Sequence, residues 1–105
     1  DRTGARLLLH EMATSDQAYI RQTAARSLAQ LDALDAIDRL TAIVEQYHTR
    51  TDAYPHAWSD VVSAGLLAGP PVDPTSGAPF LYDAATHAVT LSPDSKLLPL
   101  PHLGR

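Results

Sequence analysis

The chain has no cysteine, and this absence excludes several kinds of chemistry at once. A protein without cysteine has no disulfide framework, no thiolate metal site and no cysteine nucleophile. The five glycines are scattered singly, so no glycine-rich loop is available to hold a phosphate group. The sequence therefore predicts none of the chemistry that depends on these residues.

Positive charge is also scarce. The 105 residues carry 8 Lys and Arg against 12 Asp and Glu, which gives a net charge of −4. Because nucleic-acid-binding proteins present a basic patch to the phosphate backbone, nucleic acid is not a predicted partner. No apolar run approaches the roughly 20 residues that a helix needs to span a bilayer, so no membrane span is predicted in this segment.

Proline is missing from the first half of the chain and frequent in the second. All eight prolines follow residue 53. Proline breaks the interior of a helix, so the first half favours helices and the second favours short elements. Apolar residues at helical spacing predict three amphipathic helices in the first half, over about residues 2–13, 16–30 and 34–49.

Acidic residues mark the start of the predicted third helix. Asp32, Asp35 and Asp38 precede or enter its first turn, where negative charge favours the helix dipole. The predicted domain organisation is a helical pair over residues 1–31, a module over residues 32–91 and an extended leucine- and proline-rich tail over residues 92–105.

The second half predicts short elements joined by turns. A two-turn helix is expected over residues 55–64, with Gly65 as its C-terminal stop. Residues 80–82 and 88–91 predict two strands of an antiparallel hairpin, which needs a helix to pack against. The fold class is therefore α+β and mostly helical, and the 105 residues suit one small domain, with or without a helical arm.

Several short motifs follow one another between Leu40 and Leu91. In order, they are a helix ending in Tyr47, Tyr54-Pro55, a short helix with Trp58, Gly65-Leu66-Leu67, Asp73-Pro74 with Gly77, and the hairpin residues Phe80, Tyr82 and Val89. This order resembles the globular part of type IV pilin-like proteins, above all the major pseudopilin of type II secretion.

The resemblance implies a bacterial, non-catalytic filament subunit of the cell envelope. Members of that family begin with an apolar transmembrane half-helix, which has no counterpart here. The resemblance also implies an acidic calcium loop after the hairpin. Residues 92–96 offer one carboxylate and a lysine, so no cofactor is predicted.

The first 31 residues are instead similar to the last hairpin of a helical repeat array, of the tetratricopeptide or HEAT kind. From this we expect that the chain is a piece of a longer protein, with helical repeats before Asp1. This expectation leaves a second function open, in which the chain is the C-terminal cap of a tetratricopeptide-like protein-interaction scaffold.

The histidines and serines lack the spacing of catalytic or metal sites. The nearest candidate metal pair, His48 and His56, is eight residues apart with a proline between its members. No Gly-x-Ser-x-Gly motif is present. No catalytic, cofactor-binding or metal residues are therefore predicted, and the chain is not expected to be an enzyme. A buried charged pocket around His48, His56 and Asp60 would indicate one.

The aromatic and leucine residues are the candidates for packing and assembly. Five aromatics are expected to cluster where the helix meets the hairpin: Tyr47, Tyr54, Trp58, Phe80 and Tyr82. The structural turn is expected at Asp73, Pro74 and Gly77. The interface candidates are Leu8, Met12, Trp58, Leu97, Leu98, Leu100 and Leu103. Trp58 is a core anchor if buried and an interface hot spot if exposed.

The predicted function is a structural module of a cell-envelope or extracellular assembly. Its expected partners are proteins, either further copies of the chain in a homo-oligomer or larger assembly, or a different protein. The exposed apolar faces of the first helices and the leucine-rich tail are the expected contact surfaces. A cytoplasmic location stays open.

Overall fold

The computed structural model of the protein describes residues 2–101. The elements are helix α1 (Arg2–Met12), helix α2 (Ala18–Thr51), helix α3 (Trp58–Ser63), strand β1 (Phe80–Tyr82) and strand β2 (Val89–Leu91). The predicted α+β class, mostly helical with a small antiparallel sheet, is confirmed. Within the described part of the chain, no helix is both long enough and apolar enough to cross a membrane.

The described residues form two structural units. Unit 1 comprises residues 2–34 and 97–101, and unit 2 comprises residues 35–96. The boundary falls inside α2, so this helix contributes one half to each unit. The core of unit 1 contains Ala24, Ala29, Leu31, Ala33 and Leu97. The core of unit 2 contains Ala36, Leu40, Val44, Val61, Phe80, Val89 and Leu91.

The second and third helices of the prediction are one continuous helix, so the predicted break near residue 32 is wrong. The segment between Leu31 and Asp35 contains neither glycine nor proline, and Leu31 and Ala33 are buried. Asp32 does not cap a new helix, because its Oδ1 instead accepts a 2.8 Å hydrogen bond from Arg6 Nη1 in α1. Nothing local therefore stops the helix from continuing.

A side-chain hydrogen bond precedes α2, and a residue with positive φ follows it. Before its first turn, the Ser15 hydroxyl accepts a hydrogen bond from the Gln17 amide at 3.1 Å. After its last turn, Asp52 adopts φ +62° and its amide bonds the His48 carbonyl at 2.8 Å. Aspartate tolerates this left-handed conformation better than most residues, and it closes the helix in the way that glycine usually does.

Helix α3 ends in a Schellman motif at Gly65. The Gly65 amide bonds the Val62 carbonyl at 3.0 Å, and the Leu66 amide bonds the Val61 carbonyl at 3.2 Å. Gly65 has φ +78°, which a glycine adopts without steric cost. The helix is shorter than predicted at its start, because residues 55–57 are extended or bent and α3 begins at Trp58.

The hairpin forms where the alternation of residues predicts it. Phe80 pairs with Leu91, Leu81 with Thr90, and Tyr82 with Val89. Before it, an isolated bridge joins Val72 to Pro79, and the turn between them includes Gly77 at φ +72°. The strands alternate, with Phe80, Val89 and Leu91 buried and Leu81 and Thr90 exposed, so one face of the hairpin lies in the core.

The segment after the hairpin turns instead of running straight. Ser92 and Ser95 are buried, and the Ser92 amide bonds the Pro79 carbonyl at 2.9 Å. Leu97 is also buried, and residues 97–101 belong to unit 1. The described residues 92–101 contain turns at 93–94 and 96–97, so the predicted extended tail is interrupted there, while residues 102–105 lie outside the described chain.

We expect Gly65→Ala to lower the free energy of unfolding by about 1–2 kcal/mol, because a side chain would strain the positive φ. A Cβ at this position would meet nothing within 4 Å, so backbone strain is the whole cost. Urea unfolding followed by circular dichroism measures the change. Gly69→Ala is the matched control, since its Cβ is equally free and its φ is not positive. Equal destabilisation of both variants would contradict this account.

Candidate interaction surfaces

Helix α1 presents a largely exposed face that contains two leucines. Four of its six exposed residues, Gly4, Leu7, Leu8 and Glu11, fall within about 100° of the helix circumference, and we call these four the α1 face. Leu7 is 66% and Leu8 59% exposed. No residue of α1 is buried, although the helix contains three consecutive leucines and a methionine. An apolar helix left this open is typical of a surface that meets another molecule.

The adjoining side of α1, which shares Leu8 with the α1 face, lines a cleft within unit 1. This cleft has a volume of about 240 Å³, and its walls are Ala5, Leu8, Leu9, Ser27, Gln30, Leu31 and Pro101. One wall is fixed by Gln30, which is buried and whose Nε2 donates to the carbonyl of Leu97 at 2.6 Å and to that of Pro99 at 3.2 Å. Arg26 donates to the Leu98 carbonyl at 3.3 Å. These bonds hold the tail in place within unit 1.

A second apolar cleft lies within unit 2, and we call it the Arg39 cleft. Its volume is about 230 Å³, and it is lined by Ala36, Arg39, Leu40, Ile43, Leu67, Pro71, Val72, Pro74 and Phe80. The four α2 residues recur at positions i, i+3, i+4 and i+7, so they share one face of the helix. Val72 is 53% exposed, so one wall of the cleft is an open apolar surface.

The α1 face and the Arg39 cleft each carry one charged residue that is not paired within the described chain. Glu11 belongs to the α1 face and Arg39 lines the Arg39 cleft, and both residues are exposed. Among residues 2–101, neither charged group has a hydrogen-bond or ion-pair partner. Both charges are therefore available to a second molecule.

Trp58 is an internal anchor of unit 2. Its Nε1 donates to the Phe80 carbonyl at 2.8 Å, and its ring lies 5.3 Å from that of Tyr82 at an angle of 45°. The Tyr82 hydroxyl donates to the Pro55 carbonyl at 2.8 Å. The half-buried Trp58 thus joins α3 to β1 through its polar edge, which leaves it little freedom to act as an interface side chain.

Tyr54 lies between two imidazole rings. Its ring centroid is 4.2 Å from that of His48 and 3.7 Å from that of His87, with interplanar angles of 20° and 11°. The Tyr54 hydroxyl donates to Glu45 at 3.2 Å. Desolvation, followed by this hydrogen bond, raises the pKa of Tyr54. The stacked rings connect His87 in the hairpin loop to His48 in α2 through Tyr54.

Two aspartates stabilise the turns of unit 2. Asp73 is 1% exposed, and its Oδ2 accepts hydrogen bonds from the amide of Ser76 at 2.9 Å and from its hydroxyl at 2.6 Å. In the hairpin loop, Asp83 Oδ1 accepts from the amides of Ala85 at 2.8 Å and Thr86 at 3.3 Å. These amides lower the pKa of Asp83. Both carboxylates therefore serve as structural acceptors.

The interface candidates from the sequence lie in different environments. Leu8 is exposed on α1, whereas Met12, Leu98 and Leu100 are half-buried. Leu97 is 6% exposed and belongs to the core of unit 1. Leu103 lies outside the described residues. Pro74 lines the Arg39 cleft, and Asp73 and Gly77 form the turn beside it.

The residues suggested for an enzyme or a metal site do not form a buried charged pocket. His48 stacks on Tyr54, while His56 is exposed and its backbone amide donates to Asp60 Oδ2 at 2.9 Å. Asp60 thus accepts a hydrogen bond from the backbone just before the start of α3. Within residues 2–101, no group of three or more His, Asp and Glu residues is placed to hold a metal ion.

Sequence reasoning did not single out Glu11, Arg39 or Val72, nor the stack around Tyr54. The spacing of residues 4, 7, 8 and 11 would have placed Glu11 beside the leucines. The importance of Arg39 and Val72 depends on which face of α2 meets residues 67–80, and that pairing is visible only in the fold.

The chain has no significant match to any protein-family model, curated protein or solved structure. The similarity to pilin-like proteins therefore depends on the motifs of the sequence alone.

Tyr82→Phe tests how the phenol contributes to stability. Burial, and to a lesser extent the nearby Tyr54, Asp83 and Glu45, raise the pKa of Tyr82. A raised pKa means that the folded state favours the protonated phenol. This stability is present below the ordinary pKa of about 10 and is lost as the pH rises through the higher folded value.

We therefore expect Tyr82→Phe to lower the free energy of unfolding by about 1 kcal/mol at neutral pH, because its hydrogen bond to the Pro55 carbonyl is lost. Above pH ~10, we expect the variant to lose less further stability than the wild type. Urea unfolding at a series of pH values measures both effects. Tyr19→Phe is the neutral-pH control, because Tyr19 is 78% exposed. A Tyr82→Phe variant as stable as the wild type at neutral pH would contradict this role.

Proposed function

We propose that the protein is a non-catalytic, pilin-like assembly module of a cell-envelope or extracellular structure, and that it associates with further copies of itself. The motif order from Leu40 to Leu91 supports the pilin-like part of the proposal and its location. The observation that carries the assembly part is the α1 face, where Leu7 and Leu8 are 66% and 59% exposed.

The energy of the exposed leucines supports association. Burying apolar surface contributes about 25 cal/mol per Å², so covering a leucine side chain contributes about 1.5–3 kcal/mol. Two adjacent leucines on one short helix can therefore act as the centre of a contact. The α1 face is small beside a standard interface, so we expect weak association, in the micromolar to millimolar range.

The length of α2 favours this function over the cap of a tetratricopeptide-like scaffold. The helix has 34 residues. A whole tetratricopeptide repeat, with two helices and a turn, is also about 34 residues long. An uninterrupted helix of this length is not the short helical pair that such a stack repeats, which makes the scaffold the weaker of the two functions.

Sedimentation velocity over a wide range of protein concentration tests the proposal. We expect the average mass to rise with concentration, and Leu8→Ser to raise the dissociation constant at least about tenfold. Leu81→Ser is the matched control, since Leu81 is 42% exposed on the outer face of β1 and is not part of the α1 face. We expect it to associate like the wild type.

A wild-type protein that stays monomeric at the highest concentration would contradict self-association. Equal weakening by Leu8→Ser and Leu81→Ser would contradict the role of the α1 face, because loss of any exposed leucine would then suffice. Circular dichroism of each variant checks that the fold is kept.

A further inference from the structure

We infer that the α1 face of one copy docks into the Arg39 cleft of the next copy, with Glu11 against Arg39, so that the chain assembles head to tail. This inference rests on the proposed self-association and specifies its geometry. It follows from two surfaces of matching chemistry, one on each structural unit.

The apolar parts of the two surfaces match. Leu7 and Leu8 project from α1, and the Arg39 cleft is a concave apolar site of about 230 Å³. For scale, a cavity of about 150 Å³ lined by apolar side chains accommodates a benzene molecule, so this cleft has room for an aliphatic side chain. The exposed side of Val72 extends the apolar surface at one wall of the cleft.

The charges match as well. Glu11 lies between Leu7 and Leu8 in angle around the helix axis, so it enters any contact that these leucines make. Arg39 lines the cleft beside Leu40 and Ile43. Within the described residues 2–101, both charged groups lack an intramolecular partner, so pairing between copies breaks no existing ion pair. Complementary charges at an interface select the correct partner and orientation.

Gly4 favours the close approach of the helix. It lies one turn before Leu8 on the same exposed face and has no side chain. The backbone of α1 can therefore come close to the wall formed by α2 and residues 67–74.

A second copy of the chain is the occupant that these observations favour. Each copy carries both surfaces, and the two differ in sequence and shape, so the contact is heterologous. A heterologous contact leaves one free surface at each end and produces rings or open filaments, whereas an isologous contact stops at a dimer. The inference therefore predicts oligomers that continue beyond two copies.

A charge-swap experiment tests the pairing. Glu11→Arg sets two arginines against each other at every contact, and Arg39→Glu sets two glutamates. We expect each variant alone to raise the dissociation constant at least about tenfold in sedimentation velocity at low salt. An equimolar mixture of the two variants restores opposite charges at every mixed contact, so it should associate within about threefold of the wild type.

Two control variants change the charge by the same amounts elsewhere. Arg50→Glu lies on α2 about three turns after Arg39, and Asp16→Arg lies just before α2; both residues are exposed. We expect each control to associate like the wild type. The mixture of the two controls should associate no more strongly than either control alone. Circular dichroism establishes that all four variants are folded.

The outcomes separate this inference from the proposed function. If the wild type associates but Arg39→Glu associates equally well, the head-to-tail contact is wrong while self-association stands. Loss of association in Leu8→Ser without any effect of Arg39→Glu would indicate that two α1 faces meet each other instead. A mixture that fails to recover also overturns the pairing of Glu11 with Arg39. A wild type that remains monomeric overturns both proposals.

Discussion

Helix α2 is the element on which the rest of the structure depends, because it supplies buried side chains to both units. Leu31 and Ala33 are buried in unit 1, and Leu40 and Val44 are buried in unit 2. A single helix of 34 residues provides these positions only if it is continuous through residues 31–35. Its stability comes from this packing more than from local preference.

The same constraint explains why apolar surface remains exposed. The small sheet and α3 pack within unit 2, where Phe80, Val61 and Leu91 are buried. Helix α1 has no comparable cover, and none of its residues is buried. A chain of this size cannot cover every apolar side chain that it carries. Among the large apolar residues that stay exposed, Leu7 and Leu8 lie on the α1 face and Val72 lines the Arg39 cleft, whereas Tyr19 and Leu81 lie elsewhere.

Local chemistry made much of the fold predictable. The hairpin follows from the alternation of Phe80 to Tyr82 and of Val89 to Leu91, and the end of α3 follows from Gly65, whose backbone needs a positive φ. The prediction of a helix start failed at Asp32. Local sequence does not distinguish an aspartate at a helix start from one that pairs with an arginine far away in the chain. The Arg6 that decides between them is 26 residues away.

The surfaces were predictable only in part. Leu8 was a candidate because an amphipathic helix of this kind exposes some leucines. The burial of Leu97 was not predictable, since the Gln30 side chain that binds its carbonyl is 67 residues away. The Arg39 cleft also depends on contacts between α2 and residues 67–80 that no local pattern specifies.

Cross-linking between single-cysteine variants tests the head-to-tail contact most directly, because the chain has no cysteine of its own. Leu7→Cys and Val72→Cys proteins are mixed and treated with a short bismaleimide, and the cross-linked pair is identified by mass spectrometry. We predict that this mixed product forms in far higher yield than the product of Tyr19→Cys with Val72→Cys, since Tyr19 is exposed but belongs to α2 and is not part of the α1 face. Equal yields in the two mixtures, or a predominance of cross-links between two Leu7→Cys copies, would contradict the account.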